Sequence, residues 1–226
     1  VVRLVGSEMC IRDRGNVMVS NSQWTGPVSR WQQRVHDWAA DPGGKGLLNL
    51  TILTDAHAVA GDAGLLEAVR DTLFSRCSDD QLLLAHFARP VLQFSTPLNL
   101  FGSLKKPQHG IDIKKGALFP LVHGVRAMAL QCRIRETSTL ARLDKLVAAG
   151  ALEPGFAEDL GEAMELFSEL RLTRQLAKLQ GEDDAVEDNH IVVQQLSSLE
   201  RDLLRDALHL VSDFKQRLSR RFHLEY

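Results

Sequence analysis

A histidine and an arginine three residues apart stand out in a segment that is otherwise apolar. Between Gly116 and Cys132 the only full charge is Arg126, and His123 precedes it by one helical turn. Residues three apart share a helix face, so we expect the two side chains to project together. A helix this apolar is buried on most sides, and a buried guanidinium is costly unless an anion pairs with it. That anion is either a carboxylate of a neighbouring helix, giving an internal salt bridge, or a ligand such as a nucleotide phosphate.

An aspartate at the end of the apolar run Leu47–Thr54 is the second candidate. The run predicts a β-strand, the one convincing strand of the chain, and Asp55 follows it directly. Asp55 is either a turn or cap residue or a ligand for Mg²⁺, because nucleotidyl transfer needs carboxylates at strand ends. A single strand is not stable alone, so we expect its sheet to lie upstream or in a partner.

The rest of the chain shows helical periodicity. Helices are predicted over residues 29–40 and 65–74, from a capping box at 78–81 to residue 94, and over 117–131, 139–149 and 154–180. A second capping box, at 197–200, predicts a last helix over 198–222. A long irregular connection over 95–115 separates two of them, and such loops are often functional. The apolar stripe of the helix over 154–180 runs into Arg171 and Arg174, a second place where arginines enter a core-facing seam. The acidic run 182–189 is interpreted as a solvated loop rather than a metal site.

Composition and charge narrow the class of protein. The chain has 226 residues, 44% of them hydrophobic, with a net charge of −2 and a pI near 6.5, which gives no reason to expect nucleic-acid binding. Its three cysteines are far apart, which suits a reducing cytosol and argues against disulfides or a zinc site. No apolar run is long enough to span a membrane and no secretory leader is evident, so we predict a cytoplasmic protein. Phosphate-binding, hydrolase and metalloprotease motifs are missing.

The first residues look foreign to the protein. Leu4–Arg14 resembles a translated sequencing adapter, so residues 1–14 are predicted to be a non-native artefact and are excluded from fold reasoning. Native sequence is then expected to begin near Gly15, inside a longer protein.

Short motifs in a characteristic order resemble a known family. They lie at residues 15–24, 53–57, 59–62, 101–102, 110–114, 123–130, 137–143, 170–175, 188–189 and 196–201. The sequence is similar, over residues 15–222, to the C-terminal half of bacterial nucleotidyltransferases that carry CBS and cyclic-nucleotide-binding domains upstream. These enzymes are related to the protein-PII uridylyltransferases.

This resemblance implies a mainly α fold. Residues 63–226 would form a helical substrate-binding domain. Residues 15–62 would be the remnant, a helix plus one strand, of a truncated α/β nucleotidyltransferase domain of the polymerase-β type. Asp55 would match a metal-ligand carboxylate of that domain.

The resemblance also implies a function in bacterial signal transduction. The helical domain would bind a nucleoside triphosphate or an unknown acceptor such as a protein, while catalytic and sensor domains would lie upstream in cis. The predicted binding residues are Lys114, His123, Arg126, Arg142, Arg171 and Arg174. The family's Gly-Ser pair and Asp-x-Asp are missing, so we expect no catalysis by this chain alone, and Mg²⁺ only in the complete enzyme. The alternative is a non-catalytic helical module that relays signals from the upstream domains.

Overall fold

The computed structural model of the chain describes residues 17–41, 43–99, 101–105, 107, 110–181 and 189–224. Over these residues the fold is mainly helical, as predicted. Its α-helices are α1 (Val28–Ala40), α2 (Gly46–Thr54), α3 (Ala63–Cys77), α4 (Gln81–Ala88), α5 (Phe119–Gln131), α6 (Thr139–Ala148), α7 (Pro154–Leu179) and α8 (Ser198–Phe222). Helices α1–α3 pack on one another and form a three-helix unit, and α4–α8 form a five-helix bundle. Both share one continuous hydrophobic core.

The segment Leu47–Thr54 is helical, so the predicted strand is wrong. Its leucines favour a helix, and a short apolar run buried on several sides has no periodicity that separates helix from strand. The hydroxyl groups of Thr51 and Thr54 donate to backbone carbonyls one turn back, those of Leu47 and Thr51. Gly46 begins α2 directly against the backbone of Trp38. The inference of a missing sheet rested on this strand and loses its support.

The tryptophans of the chain form one cluster at the three-helix unit. The ring centroids of Trp24, Trp31 and Trp38 lie 5.7–6.1 Å apart in tilted or edge-on arrangements. Trp38 is buried between α1 and its neighbours, and the Arg34 guanidinium lies over the Trp31 ring. This cluster fixes the segment before α1 onto the helices that follow.

Helix α5 occupies the centre of the bundle and contacts α4, α6 and α8. Gly124 makes the close approach of α8 possible, because a Cβ atom there would lie 2.4 Å from Cδ1 of Leu218 and 2.7 Å from Cε1 of Phe214. The close contact at Gly124 thereby sets the distance between α5 and α8 at this point.

Two short strands were not predicted. β1 (Ile111–Asp112) pairs antiparallel with β2 (His190–Ile191), with Ile111 opposite Ile191. A π-helical turn over Lys114–Leu118 then leads directly into α5. The Asp112 carboxylate caps this turn by accepting from the Lys115 amide at 2.9 Å. The long connection before α5 is thereby tied to the segment before α8.

Helix boundaries follow the capping residues. The predicted capping box at Ser197 is confirmed, since its hydroxyl and the Glu200 carboxylate exchange hydrogen bonds with each other's backbone amides. The capping box predicted at Ser78 is wrong. Its hydroxyl donates instead to the Leu130 carbonyl at 2.8 Å, and Asp80 caps α4. Helix α4 is also shorter than predicted, because a 3₁₀ turn with Pro90 begins after Ala88.

Candidate functional site

One carboxylate joins α2 to two helices of the bundle. Asp55 lies at the C-terminal cap of α2, so the cap role is confirmed, and its side chain is 37% exposed. Arg126 of α5 donates through Nε to both carboxylate oxygens at 3.1 Å and through Nη2 to Oδ2 at 2.5 Å. Arg142 of α6 donates through Nη2 to Oδ1 at 2.8 Å. We call Asp55, His123, Arg126 and Arg142 the Asp55 cluster.

Arg142 is the most buried charge in this cluster, with only 2% of its side chain exposed. Its Nε donates to the Glu136 carbonyl at 2.7 Å, and its Nη2 also reaches the Thr54 carbonyl at 3.1 Å. Burial lowers the pKa of Arg142, and the Asp55 carboxylate opposes that shift. In the described part of the chain, Asp55 is therefore the carboxylate that pairs with the Arg142 charge.

His123 is buried in the core and contacts Arg126. Its ring stacks between Phe87 and Phe119 at centroid distances of 5.3 and 5.4 Å. Nε2 lies 2.7 Å from the Phe87 carbonyl, which can only accept, so Nε2 carries the proton. Nδ1 then accepts from Nη1 of Arg126 at 3.1 Å. Burial and, to a smaller extent, the charge of Arg126 lower the pKa of His123 to about 4, against the opposing effects of the Phe87 carbonyl and Asp55, so the ring is neutral at pH 7.

The Asp55 carboxyl group stays ionised. Burial by itself raises its pKa, but the hydrogen bonds and charges of Arg126 and Arg142 outweigh burial and lower the pKa below its usual value. Of the two partners considered for Arg126, the structure gives the neighbouring carboxylate. Both carboxylate oxygens of Asp55 face guanidinium groups. The prediction that Asp55 lies at the end of a strand is wrong, and its role as a metal ligand stays a prediction.

Sequence reasoning missed Arg70, a buried arginine of α3. It donates to the carbonyls of Ala56 and Arg135 and lies over the Phe74 ring at 5.8 Å. Arg135 in turn pairs with carboxylates of α3, those of Glu67 and Asp71. The sequence did carry a signal for its burial, because Arg70 lies four residues before Phe74 and therefore shares a helix face with it. These contacts add a second link between the three-helix unit and the bundle.

The other predicted cations gather elsewhere. Arg171 of α7 donates through Nε to Oδ1 of Asn189 at 2.7 Å, and the Asn189 carbonyl accepts from the Ile113 amide at 3.0 Å. Lys114 follows Ile113 and is exposed, while Arg174 is buried one turn along α7 from Arg171. We call Lys114, Arg171 and Arg174 the cationic end. Lys114 lies 12 residues before Arg126 along the π-helical turn and α5, which at 1.5 Å per residue is roughly 18 Å.

Metal-ligand clusters and helices that could span a membrane are both missing from the described part of the chain. Within it, His, Cys, Asp and Glu side chains nowhere gather in groups of three or more that could hold a metal ion. No helix in the same residues has the length and apolarity needed to span a membrane.

Comparisons with known proteins agree with the resemblance. The family model described as "Putative nucleotidyltransferase substrate binding domain" matches residues 81–222, more than half of the chain and nearly all of the five-helix bundle. A second model, "Putative nucleotidyltransferase DUF294", matches residues 5–45. That match begins inside segment 1–14, which lies outside the described residues, and it does not decide the origin of that segment. The boundary predicted at residue 62 falls between the two matches and stays a prediction.

No curated protein and no solved structure matches the chain. The match over residues 81–222 nevertheless covers the helices α4 to α8 whose packing is described above. The chain therefore belongs to the family of nucleotidyltransferase substrate-binding domains.

Proposed function

We propose that this chain recognises the anionic substrate of a nucleotidyltransferase, and that it does so through the cationic end. The observation that carries the proposal is the family match over residues 81–222, which contains all three residues of that end. The substrate would be a nucleoside triphosphate or an acceptor that remains unidentified.

The Asp55 cluster and the cationic end have different roles in this proposal. In the Asp55 cluster the arginines already face a carboxylate of their own chain, so their role is to hold the three-helix unit on the bundle. The cationic end lies beside β1 and the π-helical turn, where Lys114 is exposed. A π-helical turn inside a longer helix is a frequent feature of functional sites. Each charged hydrogen bond from these residues to phosphate would contribute roughly 1.5–3 kcal/mol.

Catalysis would require the upstream part of the enzyme. Phosphoryl-group transfer depends mainly on positioning and electrostatics, so a cationic substrate-binding domain suits this chemistry. Mg²⁺ would enter with the complete enzyme and its nucleotide. By resemblance, the complete enzyme would be uridylyltransferase-like and act in bacterial cytoplasmic signalling, below cyclic-nucleotide-binding and CBS domains.

Isothermal titration of the chain with UTP or ATP in the presence of Mg²⁺ tests this proposal. We expect binding in the micromolar range. The double substitution Lys114→Ala with Arg171→Gln should weaken binding at least about tenfold, the loss of one charged hydrogen bond or more. Its melting temperature should stay close to that of the wild type. Arg205→Gln, at an exposed arginine of α8, is the matched control and should bind like the wild type.

Two results would contradict the proposal. One is the lack of any binding heat at millimolar nucleotide, which would favour the non-catalytic interaction module instead. The other is an equal affinity for the double variant and the Arg205→Gln control, which would remove the cationic end from the site.

A further inference from the structure

A pocket of about 520 Å³ opens in the bundle near the C-terminal end of α5. Its floor is apolar and comes from α5, α6 and α8 and from the turn between α6 and α7. The floor residues are Met128, Val147, Leu152, Phe214 and Leu218. This volume lies within the usual range for small-molecule sites, which combine apolar walls with a few polar groups.

One wall of the pocket carries an arginine with neutral partners. Within the described part of the chain, Arg221 of α8 donates to Oε1 of Gln131 at 2.6 Å, to the Ala151 carbonyl at 3.5 Å and to the Cys132 sulfur at 3.8 Å. Burial raises the pKa of the Cys132 thiol, and the nearby Arg221 opposes that shift, so the sulfur is uncharged at pH 7. These partners offer partial charges only. A half-buried guanidinium in this setting would be stabilised by an anion in the pocket.

A second arginine lies at the pocket mouth. The Arg217 guanidinium lies over the Phe156 ring at 3.8 Å, and Nη1 is 3.6 Å from the Glu153 carboxylate. Among the described residues that line the pocket, Glu153 is the one carboxylate, and 77% of its side chain is exposed. Solvent therefore screens its charge, whereas Arg221 lies deeper. With two arginines and one carboxylate, the lining is net positive.

We propose that this pocket binds a small organic anion that has an apolar body and one carboxylate or phosphate group. The body would lie on the floor around Met128 and Leu218, and the anionic group would accept hydrogen bonds from Arg221. The site is separate from the cationic end, since Met128 lies roughly 21 Å along the helix axis from Lys114. It does not depend on the proposed nucleotide recognition and goes beyond it.

Methionine-methyl NMR of the full chain, with naphthoate as the probe, tests this proposal. The Met128 methyl signal, assigned with Met128→Leu, should shift on titration, whereas the signal of Met164, a residue of α7 that does not line the pocket, should not. Arg221→Gln should weaken naphthoate binding about tenfold, the loss of one charged hydrogen bond. Arg220→Gln removes the same charge from the adjacent exposed position and should leave the affinity unchanged.

Naphthalenemethanol, which has the same body without the charge, provides a test on the unaltered protein. It should bind about tenfold more weakly than naphthoate, so the proposal stays testable even if Arg221→Gln fails to fold. Equal affinity for the two probes would overturn it. So would a Met128 signal that stays fixed, or the same loss of affinity in both arginine variants.

Discussion

Replacing Asp55 by asparagine separates the structural role of the Asp55 cluster from a role in binding. The side chain keeps its size and one acceptor oxygen but loses its charge, and its amide group then points donors at guanidinium donors. Arg126 and Arg142 each lose the only carboxylate that pairs with them in the described part of the chain. Because Arg142 is almost fully buried, its charge then lies uncompensated in the core.

The expected loss of stability follows from these contacts. Two charged side chains donate to this carboxylate, and a charged hydrogen bond contributes roughly 1.5–3 kcal/mol. More than a third of the Asp55 side chain is exposed, so solvent screening reduces the total. We expect the free energy of unfolding to fall by about 2–3 kcal/mol, which for a chain of this size lowers Tm by roughly 4–12 °C.

Urea denaturation of Asp55→Asn, followed by circular dichroism without any ligand, measures this loss. Asp213→Asn is the control, because this exposed aspartate of α8 carries the same change in charge outside the cluster. A loss below about 0.5 kcal/mol, no larger than that of a typical surface substitution, would refute the structural role. It would return Arg126 and Arg142 to the residues available for an anionic ligand.

Three further substitutions test other parts of the fold. Because the pKa of His123 is depressed to about 4 in the folded chain, the unfolded chain binds a proton there that the folded chain does not. The free energy of unfolding should therefore fall by about 3 kcal/mol as the pH drops from 6.5 to 4. Urea denaturation of His123→Gln across this range should show a smaller loss. Gly124→Ala forces a methyl group against Leu218 and should cost about 1–3 kcal/mol in the same assay. Gly161→Ala in α7, whose methyl group would lie in ordinary contact 3.4 Å from Cδ2 of Leu140, should stabilise slightly. Ser197→Ala removes half of the capping box and should cost about 1 kcal/mol, and an unchanged Tm would contradict that cap role.

Local signals predicted the long helices well. The starts of α7 at Pro154 and of α8 after Ser197 depend on residues whose geometry allows little else. The segment 47–54 was assigned wrongly because it is apolar on nearly every side, and no periodicity remains to separate helix from strand. The pairing of β1 with β2 joins residues about 80 positions apart, and such contacts depend on tertiary packing.

For the candidate site, the sequence predicted the polar residues but not their partners. The pairing of His123 with Arg126 followed from helix geometry alone and is confirmed. The link from Arg126 to Asp55 spans 71 positions, and only the packing of α2 against the bundle brings the two together. Arg70 was missed for a similar reason, because the carbonyls that hold it belong to turns whose positions depend on the whole fold.

The clustering of every tryptophan at one end of the molecule has a practical consequence for spectroscopy. Because Trp24, Trp31 and Trp38 all belong to the α1 region, tryptophan fluorescence reports on that part of the chain alone. Far-ultraviolet dichroism is dominated by the longest helices, α7 and α8, at the other end of the sequence. Coincident unfolding curves from the two signals would mean that the halves unfold as one cooperative unit. If the fluorescence of Asp55→Asn changes at a lower urea concentration than its dichroism, the three-helix unit can unfold separately once Asp55 no longer pairs with Arg126 and Arg142.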